Sequence, residues 1–178
     1  MKLSLNQQPA VGGARVGRLT TSLCITLLLM LGMSNALAEV ALSNDVQKVE
    51  TFVDSDGSAQ RRLVDVDSVV PGDELRYTIH FVNNGSASVD AGSIIITNPI
   101  PDDTEYLDGT AFGSGTNISF SADAGSSFGT PDQLTVIPEG SLAPTPAAAR
   151  DYTTIRWEFT PTLAPGEASH VSFNVRLK

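Results

Sequence analysis

The strongest constraint on the fold is a period of two in the residues that follow a Pro-Gly step. Along residues 75–81, four apolar side chains, Leu75, Tyr77, Ile79 and Phe81, alternate with polar ones. Successive side chains of a β-strand point to opposite faces, so this spacing predicts a strand with one buried face. The preceding Pro71-Gly72 predicts a turn, because proline fixes φ and glycine supplies a positive φ.

The same period recurs towards the C-terminus, where Ile155, Trp157 and Phe159 share one face of a predicted strand. Residues 168–177 follow with Val171, Phe173, Val175 and Leu177 inward and Ser172, Asn174 and Arg176 outward. Trp157 is the only tryptophan and is expected at the centre of the core. The turn before this last strand, Ala164-Pro165-Gly166-Glu167, repeats the Val70-Pro71-Gly72-Asp73 pattern.

Shorter strands are expected elsewhere, and no stretch after residue 38 has the period of an amphipathic helix. We expect an edge strand at 46–52, a strand at 61–66, a deeply buried run at 94–96, and strands at 117–121 and 133–137. Ala111 and Phe112 are expected to return to the core. Eight or so short strands separated by Gly and Pro turns predict an all-β sandwich.

The first 38 residues have the pattern of a secretory signal peptide. Lys2, Arg15 and Arg18 precede an apolar stretch over 19–31, and a small-x-small end leads to Ala38. These features predict cleavage after Ala38 and a single domain over residues 39–178. The protein is then expected in the periplasm, on the cell surface or in the medium, with no membrane insertion after cleavage.

The net charge limits the classes of binding partner, and the cysteine content limits the possible cross-links. The chain has a formal net charge of −9. Cleavage of the leader removes three basic residues and no acidic residue, so residues 39–178 carry a net charge of −12. Nucleic acids and anionic membranes need basic patches, so neither is an expected partner. The only cysteine, Cys24, lies in the leader, so no disulfide is expected in the mature protein.

An acidic cluster suggests one candidate ion site. Asp54-Ser55-Asp56-Gly57-Ser58 resembles the start of a calcium loop, but the glycine and the twelfth position do not fit an EF-hand. A looser calcium site made by Asp54 and Asp56 together with Asp65 or Asp67 stays open. The alternative is an acidic turn in which the aspartates cap their own backbone, with no cofactor bound.

A second motif, Ser121-x-Asp123-x-Gly125-x-Ser127-Phe128, resembles the Asp-box hairpin of sialidases and other β-proteins. We interpret it as structural, with Asp123 accepting hydrogen bonds from turn amides and Phe128 packing beneath. The two histidines, His80 and His170, fall on the outward set of their strands. Because no nucleophile, metalloprotease or phosphate-loop motif is present, no enzyme activity is expected.

Three longer motifs carry a further signal, namely PGDELRYTIHFVNNG from Pro71, IIITNPIPDDTEYLDGTA from Ile94 and LAPGEASHVSFNVRL from Leu163. Together they resemble the DUF11 family, also called the conserved repeat domain. This family occurs in exported and cell-surface proteins of bacteria and archaea, and its function is unknown. The resemblance covers roughly 46–178 and implies an immunoglobulin-like antiparallel β-sandwich of about seven to nine strands, without known catalytic residues.

The expected function is therefore that of an exported, non-enzymatic structural or interaction module of the cell envelope, or of a secreted protein. The partner would be a protein or a second copy, bound through a sheet face or an edge strand. The alternative is a calcium- or carbohydrate-binding module that uses the acidic loops.

Overall fold

Alternating apolar residues and Gly-Pro turns produce an all-β chain, as predicted. A computed structural model describes residues 37–178, so most of the predicted leader lies outside the described residues. It contains eleven strands and two short 3₁₀ segments, with no α-helix in the described range. The strands are β1 (Val40–Val53), β2 (Ala59–Asp65), β3 (Glu74–Asn83), β4 (Ile94–Pro99), β5 (Thr104–Tyr106), β6 (Phe112–Gly113), β7 (Thr116–Ser121), β8 (Thr135–Val136), β9 (Thr145–Pro146), β10 (Thr154–Phe159) and β11 (Ala168–Leu177). The 3₁₀ segments are Pro131–Gln133 and Ala149–Asp151.

Two antiparallel sheets form an immunoglobulin-like sandwich. The larger sheet has the order β2-β1-β3-β11-β5, with β6 also paired to β11, and the smaller has the order β4-β10-β7. A third pairing joins the two-residue strands β8 and β9. Four of the eleven strands have only two or three residues. The seven longer strands agree with the predicted seven to nine.

The core lies where the predicted inward faces meet. Leu75, Ile79 and Phe81 of β3 and the alternate apolar residues of β11 face the smaller sheet, whose centre is β10. Trp157 is 0% exposed and lies between Ile96 and Ile118 of the neighbouring strands, which confirms its predicted place. Burying these side chains removes apolar surface from water and stabilises the sandwich.

The two Pro-Gly-acid turns have the same hydrogen bonds, as their sequences predict. The Asp73 amide donates to the Val70 carbonyl at 3.0 Å, and the Asp73 carboxylate accepts from the Val70 amide at 2.8 Å. Glu167 and Ala164 make the equivalent bonds at 3.0 and 2.9 Å. Gly72 has φ +96° and Gly166 φ +76°, values that glycine adopts without steric strain. The Pro-Gly-acid sequence therefore specifies the same turn twice.

The strand predictions were wrong about which strand forms the edge. The predicted edge strand at 46–52 is the second half of a 14-residue strand, β1, which pairs with β3 as far as Val49 and with β2 from Gln47 onwards. The predicted deep burial of residues 94–96 also fails, since Ile95 is 58% exposed. β4 lies at an edge of the smaller sheet and buries only one face, so its middle isoleucine points to solvent.

Two side chains near β11 also differ from prediction. Phe112 does not return to the core, because β6 pairs at the margin of the larger sheet and leaves the ring 52% exposed. Asn174 was expected in solvent but is buried. Its side chain is held against β3, because Oδ1 accepts from Arg76 Nε at 3.0 Å and Nδ2 donates to Glu74 Oε1 at 2.5 Å.

All the described residues fall within one compact unit. Within residues 37–178, no helix has the length and apolar character needed to cross a membrane. At the predicted cleavage point, the Leu37 carbonyl accepts from the Ser86 amide at 2.9 Å and the Glu39 carbonyl from the Asn84 amide at 2.7 Å. A mature chain that begins at Glu39 keeps the second of these bonds.

Candidate functional site

The four candidate calcium ligands lie at opposite ends of the β1–β2 hairpin. Asp54 and Asp56 are in its turn, whereas Asp65 ends β2 and lies opposite Gln47 of β1. Six residue steps of β-strand separate the two ends, a distance of about 20 Å. A single ion cannot contact carboxylates at both ends. Within residues 37–178, no group of three or more His, Cys, Asp or Glu side chains is placed to hold a metal ion.

Asp54 and Asp56 instead accept hydrogen bonds from the backbone of their own turn. Asp54 Oδ1 accepts from the amides of Asp56 at 3.1 Å and Ser58 at 3.2 Å, and Asp56 Oδ1 accepts from the Ser58 amide at 2.8 Å. These bonds match the second interpretation offered by the sequence, an acidic turn whose aspartates cap their own backbone.

The Asp-box loop has the structural role expected from its sequence. Asp123 accepts from the Ser121 hydroxyl at 2.6 Å, the Ser127 hydroxyl at 2.6 Å and the Ser127 amide at 2.9 Å. The Ser121 hydroxyl accepts in turn from the Gly125 amide at 2.9 Å. The half-buried Phe128 ring lies 3.4 Å from the guanidinium carbon of Arg156 on β10, which attaches the loop to the smaller sheet.

The Asp-box carboxylate predicts a specific pH dependence of stability. Hydrogen bonds from Ser121 and Ser127 lower the pKa of Asp123 from 3.8 to about 2. A carboxyl group whose folded pKa is depressed stabilises the fold above its unfolded pKa, and this contribution disappears as pH falls from about 4 to about 2. We expect Asp123→Asn to lower the melting temperature at pH 6, with the difference from wild type shrinking below pH 4.

Thermal unfolding followed by circular dichroism between pH 2 and 7 measures this difference. Asp90→Asn is the matched control, since Asp90 is an exposed loop carboxylate whose side chain accepts no hydrogen bond among the described residues. A gap between wild type and Asp123→Asn that stayed constant from pH 7 to pH 2 would contradict the lowered pKa.

The two histidines are exposed, as predicted, and the strand register brings them together. His80 of β3 lies directly opposite His170 of β11, with 5.8 Å between ring centroids. Phe112 lies 5.9 Å from His170. Neither imidazole forms a hydrogen bond or ion pair with a carboxylate of residues 37–178. The sequence placed both rings on an outward face but could not show that they were opposite each other.

A surface cleft of about 410 Å³ lies beside the Pro-Ile-Pro connection between β4 and β5. Its lining includes Pro99, Pro101, Arg150, Tyr152 and Lys178. The Lys178 ammonium donates to the Asp102 carbonyl at 2.9 Å, so one of the two cations is already engaged. The cleft is open and holds no paired acid and base.

The most distinctive surface is the far half of the β1–β2 hairpin, which we call the arm and define as residues 50–62. β1 pairs with β3 only as far as Val49, while its pairing with β2 continues to Val53. The strand residues of the arm therefore pair only with each other. An isolated two-stranded ribbon is marginally stable in water, so a ribbon that extends beyond its sheet gains from further contacts.

β2 is one of two long uncovered edges of the larger sheet, the other being residues 40–46 of β1, which pair only with β3. Six of the seven residues of β2 are exposed, and the strand has one hydrogen-bonded neighbour among the described strands. The remaining edges are shorter or blocked: β4 ends in Pro99, β7 is bridged to Gly129 through Phe120, and β5 and β6 are three and two residues long. Proteins commonly block sheet edges by such means, whereas β2 has neither a proline nor a bridging segment and only its charged side chains protect it.

Apolar side chains and ion pairs share the surface of this hairpin. Phe52, Val53 and Leu63 are each at least 38% exposed. Arg61 forms an ion pair with Glu74 of β3, and Arg62 forms one with Glu50 at 2.9 Å. Exposed apolar residues beside an open strand edge are typical of a surface that binds another chain.

The fold and this surface define the protein as an immunoglobulin-like β-sandwich with an open edge strand. Comparison with family models and with curated proteins gave no match.

Proposed function

We propose that this protein is an exported, non-enzymatic member of the DUF11 family that acts as an interaction module of the cell envelope or as a secreted protein. Export is supported by the leader pattern in residues 1–38, and the family by the motifs that begin at Pro71, Ile94 and Leu163. The observation that carries the interaction role is the uncovered edge of β2 on a hairpin that extends beyond the sheet.

An open edge strand binds by β-augmentation, in which a partner strand adds to the sheet. Main-chain hydrogen bonds supply affinity, and alternate side chains supply specificity. β2 offers a seven-residue template with Leu63 near its middle and charged residues on both sides. The calcium-binding alternative has lost its main support, because the four carboxylates lie at two ends of the hairpin.

Site-specific photo-crosslinking in cells that produce the protein tests this role. A photoreactive amino acid at Leu63 is expected to give covalent adducts with the partner. The matched control is Ile95, which is also an exposed apolar strand residue but lies on the smaller sheet. Equal labelling at the two positions, or no adduct at Leu63, would rule out binding through β2.

The same preparations test export. Signal cleavage after Ala38 predicts that the isolated protein begins at Glu39, which intact mass measurement reads directly. A cytoplasmic protein that retains residues 1–38 would contradict the proposed location.

A further inference from the structure

We propose that the partner of β2 is β2 of a second copy, paired antiparallel about a twofold axis at Leu63; this inference rests on the proposed role of β2 as a binding edge. The pairing joins the two larger sheets into one continuous sheet across the dimer. Each copy contributes the same strand, so the contact closes on itself and produces a dimer rather than a filament.

Charge complementarity selects this register. With Leu63 opposite Leu63 of the second copy, Arg61 lies opposite Asp65 of the second copy, and the reciprocal pair forms across the axis. Directly opposed opposite charges on antiparallel strands are stabilising, whereas like charges are destabilising. A twofold axis at Arg62 would place Arg62 opposite Arg62 of the second copy, which is a like-charge pair. An axis at Val64 would place Leu63 opposite Asp65 of the second copy, which sets an apolar side chain against a charged one.

Apolar contacts agree with the same register. Leu63 lies opposite Val49 on β1, and opposite residues of an antiparallel pair share a face. In the dimer, Val49 and Leu63 of one copy therefore form a continuous apolar row with Leu63 and Val49 of the second copy. Leu63 is 38% exposed in the single chain, and the pairing covers it.

The intramolecular contacts leave Asp65 free for this role. Among the described residues, its carboxylate makes no ion pair or side-chain hydrogen bond. Arg61 has one ion pair, with Glu74, and its guanidinium has five N–H donors, so it can bind a second carboxylate. Arg62 is neutralised by Glu50, which limits repulsion between the two copies near the axis.

A disulfide scan across the axis tests both the association and its register. The chain carries Cys24→Ser, so that an introduced cysteine is its only thiol. We expect Leu63→Cys to form an interchain disulfide, because directly opposed strand residues have Cα atoms about 4.5–5.5 Å apart. Arg62→Cys and Val64→Cys are the controls. Each lies diagonally from the same position in the second copy, so the two introduced cysteines are about 7–8 Å apart. Preferential cross-linking at position 62 or 64 would overturn the register.

Charge reversal tests the ion pairs independently. Asp65→Arg places an arginine opposite Arg61 at two symmetric positions, so we expect the dimer dissociation constant to rise by about tenfold or more. Adding Arg61→Asp restores opposite charges and should recover most of the affinity, as measured by sedimentation velocity. A double variant as weak as the single would contradict the pairing.

The outcomes distinguish this inference from the proposed function. A purified protein that stays monomeric at every concentration, with no disulfide at positions 62–64, would rule out self-pairing. If Leu63 still gave adducts with a different protein in cells, the binding role of β2 would stand and only the identity of the partner would change.

Discussion

Replacing Trp157 with alanine is expected to reduce the free energy of unfolding by about 3–5 kcal/mol, the largest effect of any single core truncation in this protein. The indole is 0% exposed at the centre of the smaller sheet, and its ring centroid lies 5.9 Å from that of Phe173 in the opposite sheet. Truncation leaves a cavity that two flat sheets cannot collapse to fill, because each is held by its own ladder of hydrogen bonds.

Trp157→Phe separates packing from hydrogen bonding. The Nε1 group of Trp157 is buried and has no hydrogen-bond partner among the described residues. Phenylalanine therefore removes part of the packed volume without breaking a bond, and we expect a loss of about 1–2 kcal/mol. Urea unfolding followed by far-ultraviolet circular dichroism measures both variants, since neither retains tryptophan fluorescence. Equal losses in the two variants would show that the indole N–H makes a stabilising bond.

Asn83→Ala is expected to cost about 3 kcal/mol, although the residue is polar and lies at the end of a strand. Its side chain is 0% exposed and bonds to two separate segments, the loop after β3 and the segment before β11. Nδ2 donates to the carbonyls of Ala87 at 2.8 Å and Leu163 at 3.0 Å, and Oδ1 accepts from the Gly85 amide at 3.0 Å. Alanine leaves these buried backbone groups without a partner, and each unsatisfied group carries a desolvation penalty.

Asn84→Ala is the matched control for this substitution. Asn84 is the next residue, has the same side chain and is exposed, so its loss is expected to change stability by less than about 0.5 kcal/mol. Chemical denaturation of both variants under the same conditions gives the comparison. A loss below 1 kcal/mol for Asn83→Ala would mean that water replaces the amide in the loop.

The Pro-Gly-acid turns also link neighbouring strands of the larger sheet, one of them at Asn83. The Asn83 carbonyl accepts from the Gly166 amide at 2.8 Å, and the Leu177 carbonyl accepts in the same way from the Gly72 amide at 2.8 Å. Each Pro-Gly-acid turn is thus bonded to the end of a neighbouring strand of the larger sheet. Local turn chemistry and strand pairing support each other at both ends of β3 and β11.

The Lys48 and Asn174 pair shows how strand order limits chemistry. An amide cross-link between a lysine and an asparagine can stiffen a β-sandwich without disulfides, but it needs the two side chains side by side on one face. In the structure β3 lies between β1 and β11, and Lys48 instead forms an ion pair with Asp73 at 2.7 Å. Lys48 lies opposite Leu75 in the strand pairing, whereas Asn174 lies opposite Arg76, the next residue of β3. Because successive residues of a strand point to opposite faces, Lys48 and Asn174 lie on opposite faces of the sheet.

The sequence alone determined those features that depend on neighbours along the chain. A period of two placed Trp157 and the inward faces of β3 and β11 in the core, because alternation fixes which side of a strand each residue occupies. The Pro-Gly-acid turns and the Asp-box loop were predictable for the same reason, since their hydrogen bonds join residues two to four positions apart.

The tertiary structure decided what depends on which strands become neighbours. It made β2 the outermost strand of the larger sheet, exposed Ile95 and Phe112, covered Asn174 and set His80 opposite His170. It also separated the two pairs of aspartates by the length of a hairpin. Alternation specifies a face but neither a partner strand nor a register, and these follow from packing contacts between residues that are far apart in the chain.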